Sequence, residues 1–398
     1  MLDSLVAAVQ RAGGHNRRCL SALQLGLGWF PEQPGGLDRY FFELLRALPE
    51  CDVECRGLVV GSDSVARATS GRVQAFAVPT HALIGRCQKV RRAVRDLMSE
   101  NRFDLVASHF ALYAYPSLGQ LVNTPFVSHF HGPWSAESRM EGGRWPGHRM
   151  KFMVERVVYR RADRVICLST AFGDILERDY GVRRDRIRVI PGGIDADRFD
   201  ISQSRFEARS HLGWSTNRPI VLCVRRLVRR MGLENLIEAA GILRRELPDV
   251  LIYIAGRGPI LQELEERIAA GGLKDTCRLL GFLPDDQLPL AYRGADLTVV
   301  PSLALEGFGL VAAESLAAGT PAMVAEVGGL PEVVRPLCPD LVVNAISAES
   351  LARGMKVALL GGMSIPSGPA CAAYARAKFR WELIAGRIRG VYDEVCGA

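Results

Sequence analysis

The sequence has few of the features that mark membrane, secreted or repetitive proteins. No uninterrupted apolar run reaches the roughly 20 residues that a membrane-spanning helix needs. There is no low-complexity tract and no clear short-period repeat. The first 18 residues, MLDSLVAAVQRAGGHNRR, carry an acid at Asp3 and only a brief apolar run, which is not the pattern of a secretory signal. We therefore expect a soluble protein.

Cysteine is present, but not in the spacing of disulfide frameworks or zinc sites. The ten cysteines are scattered singly, Cys51 and Cys55 form the only close pair, and no second pair stands at zinc spacing. Cys167 and Cys223 lie in apolar runs, where a free cysteine packs as a small buried hydrophobe. This usage fits a reducing cytoplasm.

Aromatic residues are scarce at 7%, whereas the net charge is +7. The basic residues are mostly arginines, clustered in RVVYRRADR, GVRRDRIR and CVRRLVRRMG. Aromatic side chains do not interleave with these clusters as they would on a surface that stacks single-stranded nucleic acid. We therefore expect no nucleic-acid partner and favour a compact phosphorylated ligand.

Short apolar runs alternate with amphipathic stretches along the chain, which indicates parallel sheets covered by helices on both faces. Runs such as FDLVASHF, RVICLST, PIVLCVRRL and LTVVPS are typical of strands, and LENLIEAAGILRREL is typical of a helix. A chain of 398 residues exceeds what one hydrophobic core usually supports. The sequence predicts an α/β protein of two doubly wound domains that face each other across a cleft.

The domain boundary is predicted in PGGIDADRFD, residues 191–200, where two glycines follow a proline and the apolar periodicity lapses. The predicted domains are 1–195, completed by a C-terminal helix over 378–398, and 196–377. That helix comes from KFRWELIAGRIRGVYDEV, and we expect it to pack back on the first domain.

The stretch PSLALEGFGLVAAESLAAG combines a strand end, a glycine-flanked loop and a helix start. The helix is predicted to begin beside Gly309, so that the first amides, on residues such as Leu310 and Val311, can bind an anion. Glu306 lies in the loop and Glu314 about one and a half turns into the helix. Two such acids suit the hydroxyl groups on either side of a bound diphosphate. A plain helix start with one solvated glutamate also fits this pattern.

The same stretch, followed by TPAMVAEVGGLPEVV, resembles the signature of the family-four retaining glycosyltransferases. Similar motifs run in order along nearly the whole chain: PGGLDRYFFELLRAL, HFHGPW, ADRVICLS, RVIPGGIDADRF, CVRRLVRRMGLENLIEA, YIAGRGP and GFLPDDQLPLAYRGADLTVVPS. The resemblance implies the GT-B fold, in which two Rossmann-like domains hold a sugar nucleotide in the cleft between them. It implies transfer of a hexose-type sugar with retention of the anomeric configuration. A UDP-sugar is the first choice of donor and a GDP-sugar the second.

The resemblance also implies site residues. Glu306 would contact the donor sugar's hydroxyls, Arg226 the diphosphate, and His131 the region of the donor sugar, and these three are the predicted catalytic residues. Glu314 would contact the ribose, and Leu283 lies where the family holds the base. The predicted donor-binding residues are Gly35, Gly36, Arg226, Arg229, Arg230, Gly256, Gly258, Leu283, Gly307, Phe308, Gly309, Leu310, Val311 and Glu314.

Three positions depart from the family pattern: Arg225 replaces a usual glycine, Met231 a usual second cation, and Gly192 a usual asparagine. Met231 matters most, because a departing diphosphate needs its charge neutralised. We expect Arg229 or Arg230 to supply that charge. The alternative is a catalytically impaired, sugar-nucleotide-binding partner protein.

Metal and cofactor sites are not expected. His129 and His131 share one face of a strand, but we see no third ligand for a metal near them, and His109 is a further candidate only for lining the cleft. The DAD at 195–197 mimics a metal-binding motif but lies in the predicted hinge. An NAD-dependent enzyme is a weaker alternative, because GRGP at 256–259 lacks the third glycine of a dinucleotide fingerprint.

The partner surface is less defined. Residues 83–98, LIGRCQKVRRAVRDLM, form a basic amphipathic stretch that could touch an anionic membrane, although a solvated helix face is the favoured interpretation. The residues do not specify the acceptor, and lipid, glycan and small-molecule acceptors stay open. Frequent arginine and alanine suggest a GC-rich bacterial genome, and hence antibiotic or cell-envelope glycosylation.

Overall fold

The computed structural model describes residues 18–30, 32–142, 147–344 and 347–397. The N-terminal stretch that we examined for a signal lies almost wholly outside these residues. The described chain forms two open, all-parallel sheets, each covered by helices on both faces. The predicted fold class, two Rossmann-like domains, is confirmed.

The first domain contains a seven-stranded sheet in the order β3-β2-β1-β4-β5-β6-β7. Its strands are β1 Leu20–Leu25, β2 Val53–Val60, β3 Val73–Ala77, β4 Leu105–Ser108, β5 Phe126–Phe130, β6 Arg164–Cys167 and β7 Ile187–Val189. Its helices are α1 Gly36–Ala47, α2 Ser64–Ala68, α3 Leu83–Glu100, α4 Ala111–Ala114, α5 Trp134–Met140, α6 Gly147–Arg161 and α7 Thr170–Arg178.

The second domain contains a six-stranded sheet in the order β10-β9-β8-β11-β12-β13, which is the strand order of a Rossmann fold. Its strands are β8 Ile220–Val224, β9 Leu251–Ala255, β10 Cys277–Gly281, β11 Leu297–Val300, β12 Ala322–Ala325 and β13 Val342–Val343. The remaining helices are α8 Ala196–Phe199, α9 Arg205–His211, α10 Leu233–Leu243, α11 Leu261–Ala270, α12 Leu288–Gly294, α13 Leu310–Ala317, α14 Leu330–Val334, α15 Ala348–Leu359, α16 Gly368–Phe379 and α17 Trp381–Cys396.

The central strands are buried along their whole length, which explains why they read as continuous apolar runs rather than alternating ones. Every residue of β4, β5, β9, β11 and β12 is buried. Because neighbouring strands are parallel, their carboxyl ends lie at one edge of each sheet, and the loops that follow β8 and β11 are therefore neighbours.

The last helix belongs to the core of the first domain. Trp381, Ile384, Ile388 and Tyr392 of α17 are buried against residues of β1, β4 and β5. The expected return of the C-terminal helix is therefore confirmed, but the single helix predicted from 378 is wrong. Arg380 is extended and separates α16 from α17, because it pairs as a short parallel bridge with Ile194.

The basic stretch at 83–98 lies within α3, whose buried face consists of Val90, Val94 and Leu97. Ile84 is 75% exposed at its start. Within the described parts of the chain, none of the helices is long and apolar enough to cross a bilayer. The proposed membrane contact of α3 stays a prediction.

Candidate active site

The N-terminus of α13 lies at the carboxyl edge of the second sheet and faces the first domain. Gly309, with a φ of 93°, precedes the helix, and a β-carbon added there would lie 2.4 Å from Leu330 Cδ2, so only glycine fits. A β-carbon added to Gly36, at the start of α1, would lie 3.9 Å from Leu310 Cδ1. The two predicted glycine-rich helix starts therefore face each other across the domain boundary.

The loop before α13 is shaped by packing between the domains. Phe308 is 4% exposed, and a β-carbon at Gly192 would lie 2.7 Å from its ring. A β-carbon at Gly307 would lie 2.5 Å from the ring of Phe172, in the first domain. Phe308 thus packs in the core, so only its main chain remains for a ligand. Gly192, one of the departures, leaves room for this ring.

Glu306 lies in a small polar cluster at the sheet edge. Its carboxylate accepts hydrogen bonds from Arg225 Nη2 and, at 3.0 Å, from Ser302 Oγ. The side chains of Arg225 and Glu306 are only 7% and 13% exposed. Arg225 was missing from the predicted site residues. The sequence marks this residue as an arginine at a position where the family pattern has glycine, but it does not show where the side chain points.

The other arginines of this loop do not share one surface. Arg226 is 58% exposed and lies 3.8 Å from Glu141 of the first domain, at the domain boundary. Arg229 is ion-paired with Glu263 at 2.6 Å and with Glu234 at 3.4 Å, on helices α11 and α10. Two carboxylates outside the predicted site hold the Arg229 guanidinium, and its expected role toward the diphosphate stays a prediction.

Arg230 joins the two domains. Its side chain is 5% exposed and ion-paired with Glu137 and Glu141, each at 3.3 Å, and it also donates to the Leu305 carbonyl at 3.3 Å. Burial raises the pKa of Glu137, an effect that Arg230 partly offsets. The charge of Arg230 is paired with acids across the domain boundary, and the predicted compensation by this residue also stays a prediction.

Glu314 is buried in α13 and accepts a hydrogen bond from Tyr292 at 3.0 Å. Burial raises its pKa, and the charge of Arg39 from α1 opposes that rise. The alternative of a solvated glutamate is wrong for this residue. Arg39 and Tyr292 are further neighbours of Glu314. Both lie inside quoted motifs, but the motifs alone do not show that residues of separate elements meet at this acid.

A cavity of about 10 Å³ lies beside Glu314 between the domains. Residues of both domains line it, among them Arg39, Glu43, Asp195, Arg198, Leu310 and Glu314. That volume holds about one water molecule. The space beside Glu314 in this arrangement is therefore smaller than a nucleotide.

Gly256 and Gly258 are required by close packing of the main chain. A β-carbon at Gly256, whose φ is 152°, would lie 1.8 Å from the Arg225 carbonyl oxygen, and one at Gly258 would lie 2.2 Å from that of Leu227. These glycines hold the arginine loop against the end of β9. Leu283 is half-buried against the core of the second domain. Their donor contacts stay predictions.

The loop between β1 and α1 is held by Asp38, which accepts a hydrogen bond from the Gly28 amide at 2.8 Å. Burial raises the pKa of Asp38 to about 6, and this hydrogen bond opposes the rise. Gly35 is extended at the helix start, and a β-carbon there would lie 3.0 Å from Asp38 Oδ2. Asp38 thus fixes the geometry of the Gly35–Gly36 approach to the cleft.

His131 belongs to a buried hydrogen-bonded chain that reaches the last helix. His131 Nε2 lies 3.2 Å from His109 Nδ1, and His109 Nε2 lies 3.1 Å from Gln24 Oε1. Gln24 Nε2 donates to the Tyr392 hydroxyl at 3.1 Å, which lies 3.3 Å from His129 Nε2. The sequence indicated the shared face of the histidines, but not Gln24 or Tyr392.

This chain assigns the imidazole protons. Burial lowers the pKa of His131 to about 3 and that of His109 well below its usual value, so both are neutral at pH 7. Since an amide oxygen can only accept, His109 carries its proton on Nε2 and accepts at Nδ1. His131 therefore donates from Nε2, and its Nδ1 is left as an acceptor.

The statement that a third metal ligand is lacking is wrong, because His109 lies beside His129 and His131 with nitrogen atoms within 4.8 Å of one another. The ring planes nevertheless lie within 11° to 22° of parallel. Nitrogen lone pairs lie in the ring plane, so nearly parallel rings do not converge on one ion.

Asp195 of the DAD motif caps α8 through the Arg198 amide at 3.1 Å.

Two facing Rossmann-like domains, with a glycine-led helix and a buried acid at their boundary, define a GT-B fold. Residues 34–198 match the family Glycosyltransferase Family 4, and residues 204–377 match Glycosyl transferases group 1. The chain belongs to the family-four glycosyltransferases. This membership sets aside the dehydrogenase alternative.

Three relatives illustrate the range of similarity. Mannosylfructose-phosphate synthase of Agrobacterium fabrum is 36% identical over 44% of the chain, an alignment that spans only 40% of that relative. D-inositol 3-phosphate glycosyltransferase of Salinispora arenicola is 28% identical over 92% of the chain and 88% of the relative. The solved sucrose-phosphate synthase of Thermosynechococcus elongatus superposes with a TM-score of 0.80 at 22% identity, over 96% of this chain and all of the other.

Proposed function

We propose that the protein is a retaining, metal-independent glycosyltransferase that moves a hexose-type sugar from a nucleoside-diphosphate sugar to an acceptor. We expect UDP-sugars to be the preferred donors, with GDP-sugars as the second choice. The observation that carries the proposal is Glu306, a partly buried carboxylate held by Arg225 and Ser302 close to the start of α13.

The proposed donor site uses groups of both domains. The first amides of α13 bind the diphosphate, because they have no partner inside the helix. Arg226, exposed at the domain boundary, adds positive charge as the sugar departs. Glu306 accepts hydrogen bonds from the sugar hydroxyls, and Glu314 accepts them from the ribose.

His131 lies on the opposite wall of the cleft. As a neutral imidazole with a free acceptor at Nδ1, it accepts a hydrogen bond from a hydroxyl of the donor sugar. Its neutral state leaves the cationic role to the arginines of the second domain. The acceptor binds chiefly to the first domain, and its nucleophile is a hydroxyl group or another heteroatom. Closure of the domains then excludes water.

The alternative, an impaired sugar-nucleotide-binding partner, is supported by Met231, which is buried and uncharged. The same loop argues against this alternative. A partner that only binds nucleotide does not need a partly buried acid at the sugar position, yet Glu306 is held by two hydrogen-bond donors there.

The test is thermal stabilisation by UDP, GDP, ADP and TDP, each with and without EDTA. A ligand at 100 times its Kd adds roughly 2.7 kcal/mol of stability. We expect a rise in Tm with one nucleotide, UDP first, that EDTA does not change. Turnover of the matching sugar nucleotide is then followed by release of the diphosphate, and NMR of the product gives the anomeric configuration. No rise with any nucleotide contradicts the proposal, and a rise abolished by EDTA contradicts metal independence.

A further inference from the structure

Arg225 reaches the sugar-side carboxylate from the neighbouring strand. It is the first residue after β8, whereas Ser302 and Glu306 follow β11, and β8 pairs with β11. Arg225 Nη2 donates to Glu306 and, at 2.6 Å, to Ser302 Oγ. The guanidinium is thus fixed at the carboxyl edge of the sheet, where Rossmann folds bind their ligands.

The same nitrogen lies 2.8 Å from the sulfur of Met231. Met231 stands at the position where the family pattern has a second cation, and Arg225 where it has a glycine. The positive charge has therefore not left the loop. It enters the same space from position 225 instead of position 231.

The guanidinium of Arg225 has fewer partners than it can bind. Its side chain is 7% exposed, and Nε is buried without a hydrogen-bond partner among the residues that the structure describes. A buried guanidinium with an unused donor is costly unless an acceptor reaches it. Arg229 and Arg230 carry two carboxylate partners each, whereas Arg225 has Glu306 alone.

We propose that Arg225 is a donor-binding residue that supplies the second positive charge for the diphosphate of the sugar nucleotide. This inference rests on the proposed function. Arg225 has two roles: it orients Glu306 for the sugar hydroxyls, and its guanidinium stabilises the negative charge of the phosphates as the sugar departs. The substitution of methionine at 231 is then matched by the arginine at 225.

The test compares binding of UDP, GDP, ADP and TDP by calorimetry in five proteins: the unaltered chain, Arg225→Ala, Glu306→Gln, Arg225→Ala with Glu306→Gln, and Arg225→Ala with Met231→Lys. We expect Arg225→Ala to weaken binding of the preferred nucleotide roughly tenfold to hundredfold. The loss persists in the Glu306→Gln background, because the arginine contacts the phosphates directly. Arg225→Ala combined with Met231→Lys recovers most of the affinity, because the cation returns from the other side.

Arg178→Ala is the matched control, since Arg178 is 70% exposed on α7 of the other domain. The Tm of each variant confirms that it folds. Equal affinity of Arg225→Ala and the unaltered chain overturns the inference, and so does a loss that disappears in the Glu306→Gln background or that Met231→Lys fails to recover. A failure of the unaltered chain to bind any of the four nucleotides overturns the proposed function itself.

Discussion

Glu306 is paired before any sugar is present, and this pairing decides what a substitution does. Its carboxylate accepts hydrogen bonds from Arg225 and Ser302. In the proposed function, a sugar hydroxyl shares or displaces these donors. A carboxylate beside a guanidinium suits a hydroxylated ligand with a negatively charged neighbour, because the acid accepts from hydroxyls and the arginine binds phosphate.

Glu306→Gln separates binding from transfer. The amide keeps the size of the side chain but removes the charge, so we expect kcat to fall roughly 10² to 10³-fold. Nucleotide affinity stays the same or rises, because Arg225 loses its anionic partner and becomes more available to the phosphates. Calorimetry with the nucleotide and a transfer assay with the sugar nucleotide measure the two effects. Normal turnover in this variant contradicts the role of Glu306.

At the residue scale, the sequence indicates the local setting of the acids, a loop for Glu306 and a helix for Glu314, but not the partners of the cations. Glu306 lies in a loop and Glu314 in a helix that follows it directly. Because both elements have local sequence patterns, the sequence alone predicts where the two acids lie along the chain. The arginines at 225, 226, 229 and 230 lie on one turn-rich loop, where Arg225 meets Glu306 and Arg229 meets Glu263, whereas Arg226 and Arg230 share Glu141. Which acid each arginine meets depends on tertiary packing, which the spacing of residues in the sequence does not encode.

At the scale of elements, α17 is the least expected contributor to the site. It ends the chain, it covers the first sheet, and through Tyr392 and Gln24 it reaches His109 and His131. Gln24 Nε2 contacts the Tyr392 hydroxyl and Cys55 Sγ, and we expect a change at Tyr392 to alter the proton positions of two histidines near the cleft.

Tyr392→Phe removes that hydroxyl while keeping the ring in the core. The Gln24 Nε2 group then keeps only its weaker contact with Cys55 Sγ, at 3.9 Å, so we expect the amide to rotate more often and His131 to lose its single tautomer. We expect kcat to fall roughly threefold to tenfold, with unchanged nucleotide affinity. Long-range proton–nitrogen NMR of the imidazole rings shows protonation at Nε2 of His109 and His131 in the unaltered chain and mixed tautomers in the variant.

Tyr113→Phe is the control for this experiment, since Tyr113 is also buried in the first domain but its hydroxyl bonds to Arg86. An unchanged tautomer of His131 in Tyr392→Phe shows that the last helix supports the fold only.

The elements themselves were largely predictable, because buried parallel strands and amphipathic helices have distinct patterns. The break at Arg380 was not, since KFRWELIAG contains no proline and no early glycine. It arises from the bridge to Ile194, a contact between segments far apart in sequence. The loop glycines at 256 and 258 were recognised as special, but their close neighbours are main-chain atoms that only the fold reveals.

At the scale of the whole molecule, the domains are held closed by polar contacts. Arg230 bridges to Glu137 and Glu141, Arg39 pairs with Asp285, and Glu332 of α14 accepts hydrogen bonds from the Thr170 and Ala171 amides at the start of α7. The carboxylate of Glu332 thus caps a helix of the other domain.

Glu332→Ala removes this cap and should weaken closure by about 1 kcal/mol. Small-angle scattering of the ligand-free variant is expected to show a larger radius of gyration than the unaltered chain. The added nucleotide and sugar should reverse the difference. Glu326→Ala is the control, because Glu326 pairs with Arg335 inside the second domain. Identical scattering of the Glu332 variant and the unaltered chain shows that this contact does not govern closure.

The two-domain architecture and the returning helix followed from the sequence because both depend on patterns that repeat over many residues. The closed arrangement did not, since it depends on a few ion pairs between surfaces that each look ordinary. The domain limits at 195 and 377 remain predictions, although the chain crosses between the sheets beside them.

The return of α17 also changes the order in which the protein can fold on the ribosome. The strands of the first domain are synthesised first, but Leu20, Ala22, Leu105 and Val127 are covered only when residues 381–396 have emerged. The second domain has its whole sheet available earlier. In this chain the half that is translated second can be completed first, and the half translated first must wait for the last helix.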